Sequence, residues 1–231
     1  MANVYGTKEY EEYIEKYRKS IVGYEFVKTD KTEEHFEING IRFDIVTFDN
    51  HVYQNETAPY PWYHTLFHEI TITLKNGKKN TYNTIEACCK PQVFNYQGID
   101  YIFISKTLYG YCIIDSRDFD EYNYFPSEVL QEGEEAFICC NVYCLRDLLL
   151  IVGCYWAYPY EIYVLDLESK KVVRLNDCLE FKGLADYDIG GSSIKVYKNG
   201  FGVTSKENEK EYLLDYSNLK NWIDQDGTFD L

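Results

Sequence analysis

The chain is 231 residues long, 45% hydrophobic and 17% aromatic with 24 tyrosines, and its 38 acidic and 23 basic side chains give a formal charge of −15. That apolar content excludes an intrinsically disordered chain, and at this length folding can bury roughly 70% of the unfolded surface without disulfide or metal staples. The negative charge argues against nucleic acid and anionic membrane surfaces as direct partners.

The first residues, MANVYGTKEYEEYIEKYRKS, lack the apolar core of a signal peptide, and no apolar run approaches the roughly 20 residues of a membrane helix. The expectation is a cytoplasmic protein with no membrane association, its eight cysteines reduced. Cys88-Cys89 and Cys139-Cys140 are poor zinc pairs, because neighbours on a strand face opposite ways. Residues 1–24 predict an amphipathic helix packed on the body of the protein. Thr7 is its cap, Glu9, Glu11 and Glu12 lie where the helix dipole favours acids, and Tyr10, Tyr13, Ile14, Tyr17 and Ile21 form one stripe.

From about residue 34 the period changes to two, and residues 25–231 read as one all-β domain. Four hairpins stand out: HFEINGIRFDIV, turning at Asn39-Gly40; VFNYQGIDYIFI, at Gln97-Gly98; NVYCLRDLLLIV, near Arg146-Asp147; and IKVYKNGFGVTS, at Asn199-Gly200. Each is followed by a third strand (68–74, 111–116, 161–167, 211–217) and a fourth short one (78–84, 121–125, 170–175 and, more weakly, 219–223). Two units align without gaps: Ser105-Lys106 stands ten residues before Asp115, as Ser205-Lys206 does before Asp215. The units span approximately 34–84, 92–126, 136–175 and 193–223. A four-stranded antiparallel unit repeated about every 50 residues resembles the blade of a β-propeller, without the Gly-His and Trp-Asp signatures of WD40 blades. The first choice is a mainly β, small four-bladed propeller-like domain with an N-terminal helix. A β-sandwich or an open stack of hairpins uses the same strands.

In such a meander the second-to-third-strand loops share one end with the linkers between units. Tyr60, Trp62 and Tyr63 fall in the first such loop, Tyr109 in the second, and Tyr155, Trp156 and Tyr158 in the third. From Asp115 to Glu135 eight acids face only Arg117, and Glu128, Glu132, Glu134 and Glu135 belong to the linker there. These rings and carboxylates are the candidate partner-binding residues: tyrosine and tryptophan anchor interfaces, and acids steer a basic partner. The same rings serve equally well as packing between sheets.

Catalytic and metal signatures are not found. His64 and His68, on a strand, stand roughly 13 Å apart, too far to share an ion. Asp115, Asp166 and Asp215 recur at one position and read as turn-forming residues. No cofactor is expected. The function expected is an acidic intracellular binding module, an inhibitor or immunity protein, that masks the basic, nucleic-acid-binding surface of a partner such as a nuclease. An anti-CRISPR protein or a toxin's immunity protein fits that description. The alternatives are a small-ligand binder or sponge using its aromatic loops, and a glycoside-active enzyme.

Overall fold

The computed structural model describes residues 2–22, 28–52, 63–87, 90–131, 138–154, 160–174, 194–204 and 211–224. The fold is mainly β. Helix α1 (Lys8–Val22) precedes a first sheet of β1 (Lys28–Ile38), β2 (Ile41–Val52), β3 (Tyr63–Thr73) and β4 (Lys79–Ile85). The second sheet holds β5 (Gln92–Tyr96), β6 (Ile99–Ser105), β7 (Tyr111–Asp115) and β8 (Glu121–Tyr124), and a 3-10 turn at Ser127–Leu130 follows. The third holds β9 (Ile138–Leu145), β10 (Leu148–Cys154), β11 (Tyr160–Asp166) and β12 (Val172–Arg174). The fourth holds β13 (Ile194–Tyr197), β14 (Gly200–Thr204) and β15 (Glu211–Asp215), and helix α2 (Tyr216–Asp224) closes the order. Every sheet is an open antiparallel meander in chain order. Among the described residues no helix is long and apolar enough to cross a membrane.

The chain forms two compact units, residues 2–134 and 135–231. In residues 2–134 one core joins Ile41, Phe43 and Ile45 of β2 and Ile70 and Ile72 of β3 to Ile102 and Ile104 of β6 and Cys112 and Ile114 of β7. On β2, Arg42 and Asp44 alternate outward and pair at 2.6 Å. The central strands β7 and β10 are buried along their whole length. Covered on both faces, they read as continuous apolar runs rather than as alternation. In residues 135–231 the core joins Leu148, Leu150 and Val152 of β10 to Phe201 and Val203 of β14 and to Leu219, Trp222 and Ile223 of α2. A core shared by consecutive sheets is common to the propeller-like, stacked and sandwich arrangements.

The turns carry the repeat. Asn39-Gly40 and Gln97-Gly98 take positive φ at both residues (52° and 73°, 52° and 80°), which right-twisted two-residue hairpins require. Asp115 accepts the backbone N–H of Arg117 at 2.8 Å and Asp166 that of Glu168 at 2.8 Å, so both close the connection to the next strand as expected. The residue after each aspartate donates its N–H to the start of the preceding hairpin strand: Ser116 to the Asp100 carbonyl, Leu167 to that of Asp147 and Tyr216 to that of Asn199. In the first sheet the Leu74 N–H donates to the Lys78 carbonyl across the turn to the fourth strand, as that of Asp115 does to Asp120 and that of Asp166 to Lys171.

Three expectations are corrected. The fourth strand expected at 219–223 is helix α2. Asp215 accepts the N–H groups of Ser217 and Asn218 at 2.8 and 3.4 Å as a helix cap, and Leu219, Trp222 and Ile223 are 3%, 2% and 0% exposed. Their i, i+3, i+4 spacing suits a helix, and each buried side chain contributes about 1.5–3 kcal/mol. The last hairpin turns at Lys198-Asn199, one residue earlier than expected, and takes no positive φ there. Gly200 is needed for a different reason: a Cβ on it would lie 2.3 Å from the Leu214 carbonyl oxygen. The first sheet is also longer than expected, with β1 starting at Lys28 and β2 and β3 paired out to Val52 and Tyr63.

Candidate functional site

A concave site lies in residues 2–134, where the N-terminal arm and α1 dock. The side-chain amide of Asn3 donates to the Asn123 carbonyl at 2.9 Å and its oxygen accepts the Phe125 N–H at 3.0 Å. Val4 donates to the Phe125 carbonyl and Ser127 to that of Ala2, so the arm pairs with the segment that follows β8 through an antiparallel bridge between Asn3 and Pro126. Thr7 caps α1 as its sequence position predicts, accepting the Tyr10 N–H at 3.2 Å. The tyrosine stripe then packs inward. Tyr10 and Tyr13 meet Phe125 with ring centroids 5.0 and 5.6 Å apart, Ile14 is buried, and the Tyr17 hydroxyl donates to Glu86. Burial, reinforced by Tyr109 and Glu86, pushes the Tyr13 phenol up to about 12.

Between α1, β4 and β8 lies a cavity of about 330 Å³, with Tyr5, Tyr10 and Tyr82 among its walls and the side chains of Asn80, Asn83 and Thr107 at its margin. Its base is a charge pair. The Lys106 Nζ stands 3.4 Å from a Glu121 oxygen and 5.6 Å from the centroids of both Tyr5 and Tyr82. Glu121 also accepts the Asn123 amide at 3.1 Å, and Asn80 donates to the Tyr82 hydroxyl at 3.0 Å. Burial works to raise the Glu121 carboxyl, but the Asn123 bond, the Lys106 charge and the Tyr82 hydroxyl outweigh it and hold the group below its usual range. Burial and the same carboxylate raise Tyr82, and burial pushes the neighbouring Cys112 thiol up to about 12. Tyr82 and Cys112 therefore stay protonated while Lys106 and Glu121 neutralise one another.

The sequence-predicted residues divide as follows. Tyr109 is half-buried close to Glu86 and Tyr13, on the side of the sheet that α1 covers, and burial raises its phenol. Glu128 lies in the 3-10 turn, which contacts α1. Tyr63 begins β3 opposite Val52. Tyr60, Trp62, Tyr155, Trp156, Tyr158, Glu132, Glu134 and Glu135 lie outside the described residues. The outer face of α1 exposes Glu9, Glu11, Glu12 and Glu15 together with Lys8 and Lys16, and the turn that holds Glu128 contacts this helix. Of these, Glu12 pairs with Lys8 at 3.2 Å, with both side chains well exposed.

His64 and His68 both lie on β3, and the His68 Nδ1 sits 2.9 Å from the Thr47 hydroxyl, a strand contact. Among the described residues the one carboxylate trio close enough to hold a metal ion is Asp147, Asp166 and Glu168, whose oxygens lie within 4.8 Å of one another. A resident cation already serves two of them: the Lys220 Nζ reaches Asp147 at 2.8 Å and Asp166 at 2.6 Å. Tyr216 donates to the other Asp147 oxygen, and Arg146 lies over its ring at 4.3 Å. Burial opposes the Lys220 charge, but its two carboxylates outweigh that and raise it. This cluster fastens α2 to the third sheet.

Sequence reasoning missed both clusters. Lys106 served only as a marker of the repeat, and Lys220 lay in a segment read as a strand. The readable signals were the polar-aromatic run Asn80-Thr81-Tyr82-Asn83 on an edge strand and the i, i+4 pair Tyr216 and Lys220 directly after a capping aspartate. No family model matches the chain, and neither does any curated protein or solved structure.

Proposed function

We propose that the protein is an acidic binding module that masks a basic, nucleic-acid-binding surface of a protein partner. The observation that carries this reading is the acid excess of the chain, 38 acidic against 23 basic side chains; on α1 itself the exposed Glu9, Glu11, Glu12 and Glu15 stand among the exposed Lys8 and Lys16, with Glu128 in the turn that α1 contacts. The acid excess belongs to both units, with 22 acidic against 13 basic side chains in residues 2–134 and 16 against 10 in residues 135–231. Carboxylates held on a helix capped by Thr7 and anchored through Phe125 form a preorganised surface. Such a surface accelerates encounter with a basic partner and competes with phosphates for the same lysines and arginines.

The test is capture of partners from the native host by the wild-type chain and by a Glu9→Lys, Glu11→Lys, Glu128→Lys variant, with and without competing double-stranded DNA. The reading expects a nucleic-acid-binding protein that the wild type retains, that DNA or raised salt displaces, and that the variant loses. Retention of the same proteins by the variant, indifferent to DNA, refutes it.

A further inference from the structure

We propose that the cavity between α1, β4 and β8 is a binding site for a small, uncharged sugar, a mono- or disaccharide. The inference is independent of the acidic outer surface and rests on the chemistry of the cavity.

Its volume of about 330 Å³ falls at the small end of the roughly 300–1,000 Å³ typical of ligand sites, which suits one or two rings rather than a longer chain. Charge excludes most other occupants. The ammonium of Lys106 is engaged by Glu121 and flanked by two tyrosine rings, and both side chains of the pair are largely buried, at 21% and 26% exposure. An anion finds no uncommitted cation there and meets the acid excess of this unit. A cation finds its carboxylate already committed to Lys106, Asn123 and Tyr82. A wholly apolar ligand would take water from the exposed Asn83 amide and give it no partner in return, whereas Asn80 already bonds to the Tyr82 hydroxyl and the Thr81 N–H, and the Thr107 hydroxyl already accepts the Tyr109 and Gly110 N–H groups.

Tyr5 and Tyr10 stand 4.8 Å apart at an interplanar angle of 43°. That tilt does not form the parallel slot a flat nucleobase needs for stacking on both faces. It does suit a puckered ring, which presents C–H faces to aromatic walls and hydroxyls outward. Amides and hydroxyls, each both donor and acceptor, are the partners such hydroxyls need. Tyr82, held by its bonds to Asn80 and Glu121 and only 5% exposed, fixes one wall, while Tyr5, 38% exposed, stands at the mouth. The edge backbone of β4 joins the lining: the Ile85 N–H turns outward to the Lys106 carbonyl, and by the period of two Asn83 directs its own backbone groups to the same side.

The experiment is saturation-transfer NMR and titration calorimetry on the full chain with glucose, galactose, mannose, N-acetylglucosamine, lactose and cellobiose. Glucose 6-phosphate and glucosamine serve as charged counterparts. The expected result is transfer to at least one neutral sugar, with the charged counterpart weaker. Affinity should fall tenfold or more in Asn83→Ala and, separately, in Tyr5→Ala, both exposed positions whose change leaves the circular dichroism unaltered. Absence of binding by every neutral sugar overturns the proposal. So do equal affinities in both variants, or tighter binding of glucose 6-phosphate than of glucose.

Discussion

Replacing Lys220 with methionine keeps the length and apolar stem of the side chain and removes only its charge. In the native fold that ammonium lies 2.8 Å from Asp147 and 2.6 Å from Asp166, residues only 3% and 1% exposed. Without it two buried carboxylates face one another. Removing one partner of a buried pair costs about 3–5 kcal/mol, whereas losing an exposed helix ion pair costs at most about 1 kcal/mol. Lys220 keeps 20% of its side chain in water, Asp147 keeps the Tyr216 hydroxyl and Asp166 keeps two backbone N–H groups. These residual contacts place the expected loss at about 2–4 kcal/mol, a large share of the 5–15 kcal/mol typical of a domain. The assay is urea unfolding followed by Trp222 fluorescence in a Trp62→Phe, Trp156→Phe background, Trp222 being 2% exposed beside this cluster. With m near 1–3 kcal/mol/M, the midpoint should fall by roughly 1–3 M. A second measurement isolates the charge. In the wild type burial works to raise the Asp166 carboxyl, but Lys220 and the Glu168 N–H outweigh it and hold the group below its usual range, so the stability it contributes is present above that range and is lost as pH falls through the folded value. In the variant the two carboxylates lose the cation between them, so acid relieves their repulsion, and the gap between the two proteins should narrow toward pH 4. Adding Asp147→Asn and Asp166→Asn to the variant should restore most of the loss. A deficit below about 1 kcal/mol that is constant with pH refutes a buried charge cluster as the fastening of α2.

Three further outcomes are expected. In Lys220→Ala the Asp147, Asp166 and Glu168 oxygens, within 4.8 Å of one another, lose their cation, so millimolar Ca²⁺ should raise the thermal midpoint of this variant and leave the wild type unchanged. Gly200→Ala would place its Cβ 2.3 Å from the Leu214 carbonyl, and denaturant unfolding should show a loss of about 2 kcal/mol or more, where a merely flexible glycine in a strand would give a gain. On alkaline titration Tyr13 and Tyr216, both raised from 10.0 to about 12, stay protonated after the unfolded chain would have ionised. Their contribution to stability is therefore complete below pH 10 and is lost as pH rises from 10 through 12, and tyrosinate absorbance should show a late class of phenols that appears together with unfolding.

Much of the fold could be read from the sequence because its signals are local. Asn39-Gly40 and Gln97-Gly98 require positive φ, and the alternation of Ile41, Phe43 and Ile45 on β2 needs only a sheet with one buried face. Asp115 and Asp166 close their turns through their own next backbone N–H groups, again a local interaction. Errors arose where one local signal serves two structures. Asp215 accepts the same backbone N–H as its counterparts, but the residues after it repeat every three to four positions and continue as a helix. Asn199-Gly200 resembles the most familiar hairpin turn, yet its glycine answers the approach of the Leu214 backbone from β15, a contact between strands that no short window of sequence contains.

The candidate sites were harder to read for a related reason: each is assembled from segments far apart in the chain. Lys106 and Glu121 are fifteen residues apart and belong to one sheet, but the rings that complete their cavity come from Tyr82 of another sheet and Tyr5 of the N-terminal arm. The reading that placed aromatic rings and acids at the loop end of the sheets identified Tyr109 and Glu128 without knowing what lay over them. Once α1 packs on that end, Tyr109 has Tyr13 and Glu86 as close neighbours and takes part in the packing, while the acids of α1 face solvent. An exposed ring offers dispersion and a hydroxyl to a partner, and a covered ring offers neither. The carboxylates exposed on α1, and not the ring of Tyr109 beside its inner face, are therefore the groups on which charge reversal should act. A Tyr109→Ala change should lower stability and leave partner capture intact.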